Sequence, residues 1–532
     1  MTAIALPARR TLRSGWSISR TVGAWIGRWL LRHAVSLTIL LPLLGFVAAV
    51  HSAGFLAYPS LVDDAGIYVA QAWAVAHRGE LSPYTYFYDH APGGWLQVGL
   101  WAVITGGFNR YHSAMEFGAE VALIAKVAAA ALLYVFGRRL GFSRPGAAFA
   151  VVLFGLCPLA IFYGRLMFLD NIMVAWLLAA FALAYAPSRS IGAATSATVS
   201  FAMAVLSKET ALVLLPAFAW ALVSNLDRRN RQQVLTVSIF CGALTLAMYP
   251  LFALYKGELF PREGHTSLLG TAAWQLAGRP SSGWLFDSDS GVRALLGQWL
   301  ELDGYLLIAG IITAPVAIVV PRLRPAALAL LIGWLTLARG GHVPSMYVIV
   351  LLPFSALLIA GTLEALSGNR RVVDTGLLRA RTTVGRVVRG WYVLLLGVIL
   401  LVGTALVWTG PIRAATSAHA PQPLRQATEW LGAHVPRDKV LVVHDVIWTD
   451  LVHRYAFSPQ PIMVYKLDHD PQVRQALTRI DYLAVPESYY RTPDPAAYPT
   501  LLRARDHAVE VAAFGTGDRA VHIYRVSSFW SP

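Results

Sequence analysis

Five short stretches place ionisable side chains where apolar runs of this chain end. LVDDAGIYVAQAW (61–73) sets Asp63 beside Asp64, with Tyr68 four residues after the second carboxylate. YDHAPGG supplies His90, GRLMFLDN supplies Arg165 and Asp170, LSKET supplies Lys208 and Glu209, and ARGGHVPSMY supplies Arg339, His342 and Tyr347. Neighbouring carboxylates repel, and partial desolvation makes each ionised form more costly. Either the pair sits in a plain solvated helix start, where Asp is a good N-cap, or negative charge is needed there. A carboxylate within hydrogen-bond reach can take a proton from a hydroxyl or an amine. Lys, Arg and His can stabilise charge on a departing anion, although a lysine at such a boundary can also simply snorkel to water. The mixture suits a substrate with an anionic head group and a greasy tail.

Composition fixes the setting of these groups. Of 532 residues, 56% are hydrophobic and 14% charged, against roughly a quarter charged in a soluble domain. Apolar runs recur along most of the chain, so a polytopic α-helical membrane protein is expected. The net charge of +15 comes almost entirely from arginine, since Lys stands only at 126, 208, 256, 439 and 466. In such a chain the excess marks cytoplasmic loops rather than nucleic-acid binding. Cys157 and Cys241 both lie within apolar runs and offer no disulfide framework.

The arginines also set the topology. Arg9, Arg10, Arg13, Arg20, Arg28 and Arg32 keep segment 1–33 in the cytoplasm, and the run 33–58 crosses outward. A signal peptide is the competing reading of that run. The next full span, Ala114–Phe136, ends at Arg138, Arg139 and Arg144 and so runs inward. Residues 59–113 are then one external loop, with interfacial helices expected over 66–77 and 93–107. Following the same rule predicts about eleven spans in a transmembrane unit, 34–409, with every arginine-rich loop on one side. All five chemical stretches fall on the other. Segment 410–532 reads as an extracytoplasmic α/β domain, with an amphipathic helix in PLRQATEWLGAHV and strands in KVLVVHD, IDYLAVPE and VHIYRV. Asp445, ending the first strand, reads as a turn former. Glu116, Glu120 and Lys126 lie in or near an apolar span, as functional groups or as a structural pair.

DDAGIY, then YDHAPGGW, RLMFLDN and SKET, in this order and spacing, resemble the GT-C type glycosyltransferases that use polyprenyl-phosphate sugars. Relatives of these enzymes include protein O-mannosyltransferases and lipid A aminoarabinose transferases. The resemblance covers about residues 55–225, is fainter through 340–355, and is absent as motif from the last domain. It implies a GT-C-like fold, with Asp64, four residues before Tyr68, as catalytic base. It also implies site roles for Arg165, Asp170 and Lys208. Two departures stand out: Ala65 replaces a frequent Glu, and His90-Ala91-Pro92 replaces Lys-Pro-Pro.

The expected activity is inverting transfer of a sugar from a polyprenyl-phosphate donor to an extracytoplasmic acceptor, which is a cell-envelope glycan, lipid or protein. Asp64, Asp63 and Asp170 are the catalytic candidates. Tyr68, His90, Arg165, Lys208, Glu209, Arg339, His342 and Tyr347 are the substrate-binding candidates. No cofactor is certain; Asp63, Asp64, Asp170 and His90 could hold a divalent ion, but no spacing is diagnostic. A transporter or flippase of lipid-linked substrates is the alternative, but it would place its charges near the midplane, often in repeated halves. The expected location is a cell membrane of bacterial type, with the N-terminus cytoplasmic. Cysteine labelling of intact cells tests this topology: label should reach the Asp64 loop and position 450 from outside. Label reaching position 450 from the cytoplasmic side alone ends it.

Overall fold

The computed structural model describes residues 12–262, 264–369, 371–372, 383–419, 422–492 and 494–527. The arginine-bearing stretches 1–11 and 373–382, and Arg370, lie outside the described residues.

A long first helix, α1 (Leu12–Ser52), leads into the loop that holds α2 (Asp63–Arg78) and α3 (Gly93–Thr105). Then follow α4 (Ala114–Leu140), α5 (Arg144–Leu156), α6 (Pro158–Gly164), α7 (Leu169–Ala184) and α8 (Ile191–Ser207). A 3₁₀ turn over Glu209–Leu214 opens α9 (Leu215–Asn225), and α10 is Arg231–Tyr255. After a long connection come α11 (Gly291–Val319), α12 (Arg324–Ala338), α13 (Val348–Leu366) and α14 (Thr383–Thr416). Local chemistry sets several boundaries. The Ser113, Ser143, Ser190 and Ser290 side chains accept backbone N–H groups at the starts of α4, α5, α8 and α11. Gly141, at φ +99°, closes α4 in a conformation that only glycine adopts cheaply.

Six helices among the described residues are long and apolar enough to cross a membrane, or seven if α5 and α6, bent by 59° at Cys157–Pro158, form one span. The multi-pass reading therefore stands. The expectation of eleven spans stands only in part. Four of the expected runs form shorter apolar helices: Leu169–Ala184, Ile191–Ser207, Glu209–Asn225 and Arg324–Ala338. A helix needs about 20 apolar residues to cross unaided. Of these, α7 lies inside the bundle, burying Phe181, Leu177 and Leu178, and packs against α4 and α8, while Leu215 and Trp220 on α9 and Leu335 on α12 stay exposed. Exposed side chains concentrate on α1, α10 and α14, as with Phe240 and Met248 on α10.

The loop helices divide. α3 does turn an apolar face outward, with Leu100, Val103 and Ile104 exposed, as an interfacial helix should. α2 does not. Residues Ala65, Gly66 and Tyr68 to Ala74 are all buried, because α2 is enclosed by α3, α4 and a C-terminal α/β unit.

That unit begins with α15 (Pro423–His434) and β1 (Leu441–Val443), and α16 (Asp445–His453) follows at once. Four more strands, β2 (Ile462–Met463), β3 (Tyr482–Pro486), β4 (Ala508–Phe514) and β5 (Val521–Val526), complete a mixed sheet ordered β2-β1-β3-β5-β4. β1 pairs parallel with β2 and β3, and the remaining pairings are antiparallel. The helix and three strands read from the sequence are all present.

Four contacts hold the unit on the loop. The Gly66 backbone lies so close to α16 that a Cβ there would sit 2.4 Å from the Val446 nitrogen. Trp73 meets Trp448 edge-on with ring centres 5.5 Å apart. Asp450 accepts from the Ser113 hydroxyl and the Ala114 N–H, both at 2.7 Å. The buried Lys466–Asp470 pair grips Thr85: Asp470 accepts its N–H and hydroxyl, and Lys466 donates to its carbonyl. Because backbone opposes backbone at Gly66, neither side can yield alone. Gly66→Ala should cost about 1–3 kcal/mol, read as a lower unfolding temperature of the purified protein. An unchanged melt would show that the approach is looser than described.

Candidate active site

Charged groups from four chain segments meet at one end of the helical bundle. Lys208 follows the last residue of α8 and is 3% exposed. Its ammonium donates to the Tyr68 hydroxyl at 3.2 Å and to His90 Nε2 at 3.0 Å. Asp170, in the first turn of α7 and 1% exposed, lies 3.8 Å away. An ammonium offers only donors, so His90 Nε2 accepts, and its Nδ1–H donates to Glu209 at 3.1 Å. Glu209 also accepts the Ala91 N–H. His90 is thus assigned by its partners as a bridge between Glu209 and Lys208, not as a cation free to meet an anion. The helix start at Asp170 is not a side-chain cap, since Phe168 is the N-cap. Asp170 serves Lys208.

Both aspartates lie in the first turn of α2, which begins at Asp63 after Val62. Their surroundings differ sharply. Asp63 accepts from His444 Nε2 at 2.7 Å and from the Tyr489 hydroxyl at 2.6 Å. Desolvation acts to raise its pKa, but these bonds outweigh it and hold the carboxyl down at about 2. Asp64 is half-buried and has no hydrogen bond or ion pair among the described residues. Its charge still acts on Tyr68, Asp170, Lys208 and His342. Tyr68, one turn later on the same face, is buried between Asp64 and Lys208.

Arg339 and Tyr347 join the same region. With Asp170, Thr210 and Met173 they line a cavity of about 40 Å³. Arg339 donates to the His342 carbonyl at 3.4 Å. Burial, and then the nearby charge of Arg279, hold the His342 imidazole below its usual range, so it contributes as a neutral ring. Arg279 comes from the long connection after α10 and was not singled out in the sequence.

Arg165 stands apart. Its guanidinium donates to the carbonyls of Tyr58 and Ala415 at 3.0 Å and of Val50 at 2.7 Å. It ties the ends of α1 and α14 to the loop and does not face the site. The intramembrane charges do not pair as a Glu–Lys set either. Glu120 binds Arg110 at 2.6 Å, Glu116 lies 4.0 Å from Arg425, and Lys126 donates to the Phe154 carbonyl. Among the described residues, no three His, Cys, Asp or Glu side chains converge as a metal site. Asp63 and His90 are turned to protein partners.

The chain can now be set beside known proteins. The family of dolichyl-phosphate-mannose-protein mannosyltransferases matches residues 98–252, under a third of the chain. No curated protein matches it in sequence. Among solved structures, ArnT from Cupriavidus metallidurans bound to undecaprenyl phosphate superposes with a TM-score of 0.56, at 14% identity over 95% of this chain and 99% of that one. The oligosaccharyltransferase AglB from Archaeoglobus fulgidus, in complex with an inhibitory peptide and a dolichol-phosphate, gives 0.52 at 14% identity over 95% of this chain and 75% of that one. The chain has the GT-C fold. The resemblance read from DDAGIY, YDHAPGGW, RLMFLDN and SKET thus agrees with the family match and with the architecture. Within that fold, Arg165 departs from the site role that the resemblance implied. Arg165→Gln should lower stability, on the order of 3 kcal/mol for three charge-assisted bonds, read as a lower unfolding temperature of the purified protein. An unchanged melt would show that the tie does not hold the helix ends.

Proposed function

We propose that this protein is an inverting glycosyltransferase that moves a sugar from a polyprenyl-phosphate donor to an extracytoplasmic acceptor. The observation that carries the reading is the asymmetry of the two adjacent aspartates. Each oxygen of the half-exposed Asp63 accepts a hydrogen bond from the C-terminal unit, while Asp64, one turn from Tyr68 and within electrostatic reach of the buried Lys208, has no hydrogen-bond partner among the described residues. A carboxylate without partners is available as a base.

In the reaction, Asp64 takes the proton from the acceptor hydroxyl or amine as that atom bonds to the anomeric carbon. The bond from that carbon to the phosphate oxygen breaks, and polyprenyl phosphate departs as an anion. Lys208 and Arg339 stabilise the departing charge. Attack and departure on opposite faces invert the anomeric centre. His90 and Glu209 hold Lys208, and Asp170 offsets its charge in the resting site. Tyr68 packs beneath the sugar, Tyr347 lines the cavity beside Asp170 and Arg339, and His342 stands by Arg339. The lipid tail lies in a groove between helices. Undecaprenyl phosphate in ArnT and dolichol-phosphate in AglB support a lipid-linked donor for this chain.

The test is purified full-length protein incubated with several polyprenyl-phosphate sugars, with and without chelator. Asp64→Asn should retain donor binding and lose transfer by at least about a hundredfold. Lys208→Ala should weaken donor binding, and Lys208→Arg should recover part of it because charge survives with altered geometry. Transfer surviving in Asp64→Asn, with Asp63→Asn inactive, would assign the base to Asp63.

A further inference from the structure

Besides the close approach of Gly66 to Val446, the C-terminal unit holds the first turn of α2 through the carboxylate of Asp63. Both oxygens of Asp63 are taken, one by His444 and one by Tyr489. We propose that His444 and Tyr489 are positioning residues for transfer: by clasping Asp63 they fix the first turn of α2 and leave Asp64 as the carboxylate turned to the substrate. This rests on the reading of Asp64 as the base.

The geometry of consecutive helical residues makes the coupling direct. Neighbours in a helix project about 100° apart, so holding the direction of one side chain sets that of the next. The clasp is itself rigid. His444 is 3% exposed and caps α16, its Nδ1 accepting the Val446 N–H at 3.2 Å. With Nδ1 an acceptor, Nε2 carries the proton given to Asp63. Tyr489 stands edge-on to the His444 ring at 5.8 Å, and Tyr498 stands edge-on to Tyr489 at 5.3 Å. A base must lie within a fraction of an ångström of its productive place, and a clasp built on packed rings supplies that.

The clasp also keeps the two carboxylates from competing. Adjacent carboxylates repel each other, and the His444 and Tyr489 donors offset the Asp63 charge. Behind them lies Asp445, 1% exposed, with neither carboxylate oxygen hydrogen-bonded. Burial first, and then the charges of Asp63 and Asp64, push Asp445 well above the ordinary carboxylate range. Of the three acids, Asp63 is clasped, Asp445 is buried, and Asp64 is left without a hydrogen bond among the described residues.

Docking of the unit does not depend on this clasp. Gly66 against Val446, Trp73 against Trp448, Asp450 on Ser113, and the Lys466–Asp470 grip on Thr85 are separate contacts. Tyr489→Phe removes one hydroxyl from Asp63 and leaves all four in place. The experiment measures transfer, or hydrolysis without acceptor, of a radiolabelled undecaprenyl-phosphate sugar by the full-length protein, with a thermal melt for each variant. Tyr489→Phe and His444→Leu should lower kcat about tenfold or more, with donor KM within twofold. His444→Gln, which keeps an N–H donor, should recover most of the loss. Combined with Asp63→Asn, neither change should cost more than Asp63→Asn alone, since all act through one carboxylate. Wild-type kcat in both single variants, or losses that multiply in the double variants, would overturn the proposal. An active Asp64→Asn would overturn the underlying base assignment instead; an inactive Asp64→Asn beside fully active Tyr489→Phe would overturn the clasp alone.

Discussion

A lysine ammonium buried at the edge of a membrane cannot stand alone, and most of the site is built around satisfying that of Lys208. Desolvating it costs several kcal/mol unless charge and hydrogen bonds compensate. Asp170 provides the opposite charge from α7, Tyr68 an oxygen from α2, and His90 a nitrogen from the loop between α2 and α3. Glu209, the very next residue, holds His90 in the orientation that lets it accept. Four segments far apart in sequence are thus bound to one nitrogen. The short helices α7 and α8 follow from this constraint, since both must end or begin where Lys208 and Asp170 meet.

Around that fixed cation the carboxylates are sorted by environment. Asp170 is committed to Lys208, Asp63 to His444 and Tyr489, and Asp445 is buried behind them with its pKa pushed up by desolvation first. Asp64 has no such commitment. A cluster of four acids would otherwise smear its protons over several sites. Here one acid remains free, and the C-terminal unit does much of the sorting.

The sequence made part of this legible. Arginines and apolar runs located every main helix of the bundle, because charge is excluded from lipid and each run needs a length matched to it. They overstated the number of independent spans, because a run of 15–17 apolar residues looks the same whether lipid or protein surrounds it. Asp64, Asp170, Lys208 and His90 were visible because charge at the end of an apolar run demands a reason. Arg165 met the same criterion and proved to be a tie between helix ends, a distinction that depends on three backbone carbonyls no pattern reveals. His444 and Tyr489 were invisible. Each sits in an ordinary strand-end setting, and their meaning arises only when Asp63, 381 and 426 residues earlier, packs against them.

The junction between α14 and the sheet unit carries a consequence for how firmly that unit must be held. α14 ends at Thr416 and α15 begins at Pro423, so only residues 417–422 intervene. Arg165 pins the Ala415 carbonyl, at the end of α14, beside the loop that the unit covers. A connection this short gives the unit an effective concentration at its docking face on the order of millimolar. Contacts that would be feeble between separate molecules therefore suffice within one chain. Its sequence is free to spend the docking surface on aiming a carboxylate rather than on affinity.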